Sequence, residues 1–175
     1  MPPAICNSGP LIHFGKVKAL NILTYFFQPI YIPNSVFEEV VTKGIQHAQP
    51  DALLVHALIK ENRICVVKEF PLSDLLNQWS KKNLHQGELD AIHLALSMNL
   101  DGSSQQTILL DDEEARKLAR TLGLQVQGTL GTLIKYYQAK QISSQEAIQI
   151  LNNLNDFMYI SSDLYQFCIF KLNII

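Results

Sequence analysis

Residues 107–119 read TILLDDEEARKLA, so a short apolar run ends at four consecutive carboxylates. The run 108–110 is typical of a buried strand, and acids are favourable at the positive end of the helix that follows. That helix dipole is sufficient to explain Glu113 and Glu114. Asp111 is different, because it emerges first beyond the strand, where the ligands of open α/β sheets bind. The question for the rest of the sequence is whether other acids converge on Asp111.

The composition is that of one packed globular domain, since 47% of the 175 residues are hydrophobic and 17% are charged. No apolar stretch approaches the ~20 residues that span a bilayer, and the N-terminal sequence MPPAICNSGP lacks the features of a signal peptide. We therefore expect a cytoplasmic protein with no membrane partner. The three cysteines have no C-x-x-C spacing, which indicates neither disulfides nor a zinc site. With a formal net charge of −2, local basic side chains and bound metal would have to hold any nucleic acid.

Apolar strand-like runs alternate with helical patterns, which predicts βαβ units and a mainly parallel sheet. Ser35 and Glu38 have the spacing of a capping box, and residues 101–105 read as a polar turn. The predicted strands are 4–7, 30–32, 64–67, 107–110 and 124–127, and the predicted helices are 11–27, 33–44, 50–62, 86–99, 115–122, 130–140 and 144–155. The five histidines show no ligand spacing, and we assign them no chemistry.

The helix predicted over 86–99 contains the most informative acid. Its periodicity places Glu88 in the middle of the apolar face, with Asp90 and His93 opposite, in solvent. A carboxylate aimed at a core is costly unless it is paired or binds a metal, which makes Glu88 a candidate ligand. The alternative is that Glu88, close to the helix start, caps backbone amides.

Three more polar residues are candidates at the same edge of the sheet. Glu39 lies on the flank of the buried face of its predicted helix, where a solvated glutamate is an equal alternative. Asn7 and Ser8 follow the first strand, so their side chains should emerge at the same carboxyl edge as Asp111. Their alternative role is formation of the turn with the glycine and proline that follow.

Five segments in order resemble the PIN-domain superfamily, most closely its PIN-like branch of small bacterial and archaeal proteins described as predicted nucleic-acid-binding proteins. The resemblance covers about residues 4–155, and no single motif decides it. The segments are ICNSGPLIHFGKV (5–17), YIPNSVFEEV (31–40), GELDAIHLAL (87–96), ILLDDEEARKLARTLGL (108–124) and GTLGTL (128–133).

The resemblance implies a three-layer α/β/α sandwich around a mainly parallel sheet of about five strands. It also implies acids at the carboxyl edge that hold Mg²⁺ or Mn²⁺ for hydrolysis of single-stranded RNA, as in the toxins of toxin–antitoxin pairs. We expect a single PIN-like domain over 1–175, with a core of about 4–155 and a C-terminal extension, 156–175. This extension is apolar enough to pack on the domain, and it is a candidate surface for a homodimer or an antitoxin protein.

Carried over residue by residue, the family's acidic positions fall on Asn7, Glu39, Glu88 and Asp111 as metal ligands, the last three of them as catalytic residues. Catalytic relatives usually have aspartate at the position of Asn7. Asparagine can ligate a hard cation but contributes no charge and cannot act as a base. Asp112 should point elsewhere, and crowding of the acids should raise the pKa of Glu88 or Asp111 in the absence of metal.

The candidate substrate-binding residues are Ser8, Lys16, Arg116 and Thr129, each of which could equally belong to a solvated helix face or a cap. The predicted function is a metal-dependent endoribonuclease. The alternatives are a PIN-like module that binds nucleic acid or a protein without cutting, and a phosphoacceptor or phosphatase with Asp111 as nucleophile. The last reading is disfavoured because such folds generally place acids directly after the first strand, where this chain has Asn7.

Overall fold

The computed structural model describes residues 1–72, 76, 84–98 and 107–173. Its strands are β1 (Ala4–Cys6), β2 (Ile30–Pro33), β3 (Ile64–Val67), β4 (Thr107–Leu109) and β5 (Gln125–Gln127). They form a five-stranded sheet in the order β3-β2-β1-β4-β5, and every pairing is parallel. Each strand lies within one residue of its predicted limits. The predicted parallel α/β sheet is therefore confirmed.

Helices cover both faces of this sheet. Ala4 and Cys6 of β1 face one core, which contains Val55 and Leu151, whereas Ile5 faces a second core with Ala91 and Ala115. The alternation of side chains along a strand thus buries both faces, which confirms the three-layer sandwich. The helices are α1 (Ser8–Lys16), α2 (Asn21–Phe26), α3 (Asn34–Phe37), α4 (Gly44–Gln46), α5 (Pro50–Lys60), α6 (Gln86–Met98), α7 (Glu113–Thr121), α8 (Thr129–Gln138), α9 (Ser144–Asn155) and α10 (Ser162–Asn173), with a π-helical segment (Glu38–Lys43) joining α3 to α4.

The strand order reverses between β1 and β4. From β1 the chain builds outward through β2 to β3, and β4 then returns to the other side of β1. The backbone N–H of Asn7 donates to the carbonyl of Leu109 at 3.1 Å, so the two neighbouring strands end together. In open α/β sheets this reversal creates the crevice in which ligands bind.

The single helix predicted over 11–27 is wrong. The backbone of Lys18 turns to φ 55°, and the N–H of Ala19 returns to the carbonyl of Phe14 at 2.8 Å. This turn ends α1, and α2 begins afresh at Asn21. The apolar spacing continues across the break because both helices face the same core.

The capping box predicted for Ser35 and Glu38 is also wrong. Pro33 is the residue before α3 and gives no side-chain cap, while the buried Ser35 hydroxyl has no hydrogen-bond partner among the described residues. The helical path also continues past Gly44 instead of ending there. A Cβ on Gly44 would lie 2.6 Å from the Cβ of Ala52, so this glycine serves close packing against α5.

The C-terminal extension packs on the domain as predicted. Cys168 and Leu172 of α10 are buried, and the Ser144 hydroxyl donates to the carbonyl of Leu172 at 2.6 Å. None of the helices in the described ranges is long and apolar enough to cross a membrane. The predicted turn 101–105 and the last predicted residue of the helix 86–99 lie outside the described residues.

Candidate active site at the carboxyl edge of the sheet

Asn7 lies where β1 ends and α1 begins, and only 5% of its surface is exposed. Its Oδ1 accepts hydrogen bonds from the Ser8 backbone N–H at 2.6 Å and from the Ser8 hydroxyl at 3.2 Å. The predicted turn-forming role of Asn7 is therefore present, since its side chain caps α1. The Ser8 hydroxyl, a predicted substrate contact, is also engaged in holding Asn7.

Glu88 is buried in the first turn of α6, with 8% of its surface exposed. Its Oε2 accepts the backbone N–H of His85 at 2.9 Å, which is the capping role that the sequence left open. Burial raises the pKa of this carboxyl; the bond from His85 opposes the rise, and the charges of Asp112 and Glu39 add to it. The pKa of Glu88 is therefore raised, as predicted, but burial is the main cause, and Asp111, the expected source of repulsion, does not contribute.

The side of α6 opposite Glu88 is less exposed than the sequence predicted. His93, which we placed in solvent, is buried, and burial lowers its pKa. Leu94, which lies outside the predicted apolar face, is also buried, so α6 is covered over more than one face. Sequence periodicity alone cannot detect burial of a polar face.

Glu39 lies on the π-helical segment and is exposed, as the solvated alternative expected, but its carboxylate is close to Asn7. A Cβ added to Gly87 would lie 3.4 Å from both Glu39 Oε2 and Asn7 Oδ1. Both oxygens therefore border the space that a side chain at position 87 would occupy. Glu88 is the next residue of α6, and the charge of Glu39 contributes to its raised pKa, so the three side chains belong to one neighbourhood.

Asp111 belongs to a second group on the other side of the sheet edge. Its Oδ1 accepts the backbone N–H of Thr129 at 2.7 Å, and its Oδ2 accepts the Thr129 hydroxyl at 2.6 Å and contacts His13 Nδ1 at 2.7 Å. Asp111 also adds to the rise in the pKa of Cys6, which burial dominates. The hydroxyl of Thr129, another predicted substrate contact, thus holds a carboxylate.

Asp112 points away from Asp111, as predicted, but its charge acts on Glu88. Its Oδ1 accepts the backbone N–H of Ala115 at 2.8 Å and so caps α7. From this position it contributes to the raised pKa of Glu88. Of these two acids, it is therefore Asp112 whose charge acts on Glu88, and not Asp111, which the sequence selected.

The two predicted cationic contacts differ in their surroundings. Lys16 Nζ lies 3.3 Å from Gln49 Oε1 and 5.3 Å from the centre of the Phe157 ring. Arg116 Nη1 is 3.9 Å from Glu113, but its Nε is buried without a hydrogen-bond partner among the described residues. Arg116 therefore retains donor capacity close to Asp111.

The sequence reading missed His13. Its partner Asp111 is 98 positions away, so no local spacing could have identified the pair. The histidine sits on α1, which begins directly after the end of β1, and its ring reaches across the edge to the residue that follows β4.

Replacing His13 with leucine should lower the free energy of unfolding by about 1–3 kcal/mol, because the buried Asp111 carboxylate loses a hydrogen-bond donor. His13→Asn is the matched variant, since its amide N–H can take the place of Nδ1. Urea denaturation of both variants measures the effect. Equal stability of His13→Leu and His13→Asn would contradict the bond's contribution.

The side-chain atoms near Gly87 that could bind a metal ion are oxygens. No three His, Cys, Asp or Glu side chains in ranges 1–72, 84–98 and 107–173 come together as a metal-binding group. Asn7 is outside those residue types, so the candidate ligand set combines one amide oxygen with the carboxylates of Glu39 and Glu88. Such an all-oxygen set suits Mg²⁺ or Mn²⁺, with less negative charge than three carboxylates would supply.

Comparison with known proteins supports the earlier resemblance. The sequence model of a family described as a PIN domain matches residues 3–173. The match includes all five strands and extends through α10, beyond the segment that the five motifs covered. Comparisons with curated proteins and with solved structures gave no match.

Proposed function

The chain belongs to the PIN-domain family, and we propose that it is a metal-dependent endoribonuclease acting on single-stranded RNA. PIN domains are generally nucleases, which supports a phosphodiester hydrolase at the coarse level. The observation that carries the finer proposal is the convergence of Asn7, Glu39 and Glu88 at the reversal between β1 and β4.

PIN domains typically use divalent metals, and this chain offers a compatible set of ligands. Asn7 Oδ1 and Glu39 Oε2 both border the space that a side chain at position 87 would occupy, and Glu88 follows on the same helical turn. The raised pKa of Glu88 indicates a carboxylate that a nearby cation would stabilise in its charged form. A bound Mg²⁺ or Mn²⁺ would supply charge neutralisation for the phosphodiester and a water of lowered pKa.

The residues themselves account for the rest of the proposed site. Glu39 and Glu88 would hold the cation through their carboxylate oxygens, with Asn7 as the uncharged third ligand. Asp111 is held in place by Thr129 and His13. It is the remaining carboxylate of the proposed site, and it could accept a proton from the attacking water. In this arrangement Ser8 and Thr129 position the two strand ends, and Arg116 and Lys16 face the RNA.

The proposal extends to a toxin of a toxin–antitoxin pair, which would add an antitoxin protein to the partners. PIN-domain membership implies nucleic-acid binding, while the antitoxin and a homodimer rest on the family resemblance and on exposed apolar residues of the C-terminal extension.

A PIN-like module that binds without cutting is the second candidate. Two observations favour it: the uncharged Asn7, and the occupation of Asp111 by three hydrogen-bonding contacts. Cleavage of an unstructured RNA with Mn²⁺, with Mg²⁺ and with EDTA separates the two. The nuclease proposal expects cutting with either metal, none with EDTA and slower cutting of the same RNA in a duplex. Binding without cleavage at any metal concentration would favour the module.

Divalent metal should raise the melting temperature of the wild-type protein. A ligand that binds only the folded chain stabilises it by mass action, by about 2.7 kcal/mol at a hundredfold excess over its Kd. Differential scanning fluorimetry across a Mn²⁺ series measures this shift, and the Glu39→Gln variant provides the comparison. A flat response of the wild type up to millimolar Mn²⁺ would contradict a metal site.

Gly87→Ala should separate metal binding from folding. The added methyl group would meet Asn7, Glu39 and Val36 at 3.4 Å, which is ordinary contact, and alanine is the better helix former by about 0.5–1 kcal/mol. We therefore expect unchanged or higher stability in EDTA but weaker Mn²⁺ affinity by calorimetry. Unaltered affinity would mean that the cation does not occupy this space.

A further inference from the structure

A second cavity opens beside the candidate active site. It has a volume of about 470 Å³ and lies between the start of α8 and one side of α10. Its lining includes Asp111, Thr129 and Arg116, together with the aromatic residues Tyr159 and Phe167. We call this cavity, defined by these five residues, the α10 pocket. It shares Asp111 with the carboxyl edge of the sheet, where the proposed active site lies.

The α10 pocket has an incompletely paired cation. Arg116 Nε is buried and has no hydrogen-bond partner among the described residues, and the nearest acid, Glu113, is exposed and 3.9 Å from Nη1. A buried donor without a partner is costly, so a ligand acceptor at this point would be favourable. Lys171 adds a second positive charge nearby, with Nζ 5.5 Å from the centre of the Phe167 ring.

Two aromatic residues of the pocket lining are exposed. The exposed fraction is 92% for Tyr159 and 51% for Phe167. Rings beside cations are the combination with which proteins hold single-stranded nucleic acid, because a base stacks on the ring while the cations interact with the base edge or the backbone.

We propose that the α10 pocket binds one nucleotide of single-stranded RNA next to the nucleotides at the cleavage site. Its base stacks on Tyr159 and Phe167, and Arg116 Nε donates to an acceptor on that nucleotide. The proposal rests on the nuclease function proposed above and assigns a substrate-positioning role to α10. The cavity has room for a nucleotide. Its charged lining residues are Arg116 and the two carboxylates Asp111 and Glu113, so the unpaired Arg116 Nε and the exposed rings, and not net charge, favour a nucleotide.

Fluorescence anisotropy with a short 2′-O-methyl oligonucleotide in EDTA tests binding separately from cleavage. Tyr159→Ala and Phe167→Ala should each weaken binding by about tenfold, which is within the range for loss of one base–aromatic stack. Arg116→Gln should also weaken binding, because it removes the Nε donor that the bound nucleotide would engage. Phe170→Ala is the matched control, because Phe170 is 61% exposed on the same helix but does not line the pocket.

Photocrosslinking of a thiouridine-labelled oligonucleotide gives an independent readout, with the label expected on the peptide that contains Tyr159. Unchanged RNA affinity in all three pocket variants, with wild-type cleavage intact, would overturn the pocket assignment alone and favour a protein partner at α10. A wild-type protein that neither binds nor cuts RNA would instead overturn the nuclease proposal itself.

Discussion

Replacing Glu88 with glutamine should reduce Mn²⁺-dependent RNA cleavage by on the order of 100-fold or more, because a direct ligand should matter at least as much as its supporting residues. The fold should remain, since the glutamine oxygen can still accept the His85 N–H that Glu88 accepts now. The variant therefore removes the charge while it retains the cap. Cleavage of a fluorescent single-stranded RNA at several Mn²⁺ concentrations measures the loss.

The same variant should be more stable than the wild type at neutral pH in EDTA. Burial raises the pKa of Glu88 in the folded state, so its contribution to stability is fully present below the unfolded pKa, about 4.3, and is lost as the pH rises through the folded pKa. Glutamine does not titrate. The two proteins should therefore be equally stable near pH 4 and diverge as the pH rises, and urea denaturation across this range measures the difference.

Asp90→Asn is the control for Glu88→Gln. Asp90 is in the same helix, but it accepts a hydrogen bond from Gln86 on an exposed side at 2.7 Å. Its replacement should leave both cleavage and metal-dependent stability unchanged. Equal loss of activity in the two variants would contradict the assignment of Glu88 as the inward acid.

Replacing Asn7 with aspartate should have opposite effects with and without metal. Aspartate can retain the hydrogen bonds from Ser8, but it adds a negative charge beside Glu39 and Glu88. In EDTA the added repulsion should lower the free energy of unfolding. With Mn²⁺ the same charge should tighten metal binding by on the order of 1–3 kcal/mol, and cleavage at limiting metal should be faster.

Titration calorimetry and the cleavage assay test the Asn7→Asp variant directly. Asn152→Asp adds the same charge on α9, away from the strand ends, and should change neither metal affinity nor cleavage; its oxygen can still accept the Tyr165 hydroxyl. Unchanged Mn²⁺ affinity of Asn7→Asp would show that residue 7 does not face the cation, and the family assignment of that position would then fail.

The parts of the fold that depend on local periodicity could be predicted from the sequence. Buried parallel strands are short apolar runs, and all five lie within a residue of their expected limits. The inward direction of Glu88 also follows from periodicity, because the apolar face of a helix turns toward the core and Glu88 lies at the centre of that face. Membership in the PIN-domain family was suggested by five ordered motifs and is confirmed over 3–173.

The parts that depend on distant residues could not be predicted. The break at Lys18 leaves the apolar spacing intact, since α1 and α2 bury the same side. The acids form two groups because the Asp111 carboxylate binds Thr129 and His13 and does not join Glu39 and Glu88. These partners are 18 and 98 positions from Asp111, so local spacing could not identify them.

The most direct test of the central claim is the cleavage of a fluorescent, unstructured RNA by the purified protein in Mn²⁺, followed by excess EDTA and then by restored Mn²⁺. A Glu88→Gln preparation made in the same way accounts for any contaminating nuclease. The metal-dependent nuclease proposed here should cut, stop and resume, while the variant stays inactive throughout. Cleavage that continues in EDTA, or that is equal in the two preparations, would contradict it.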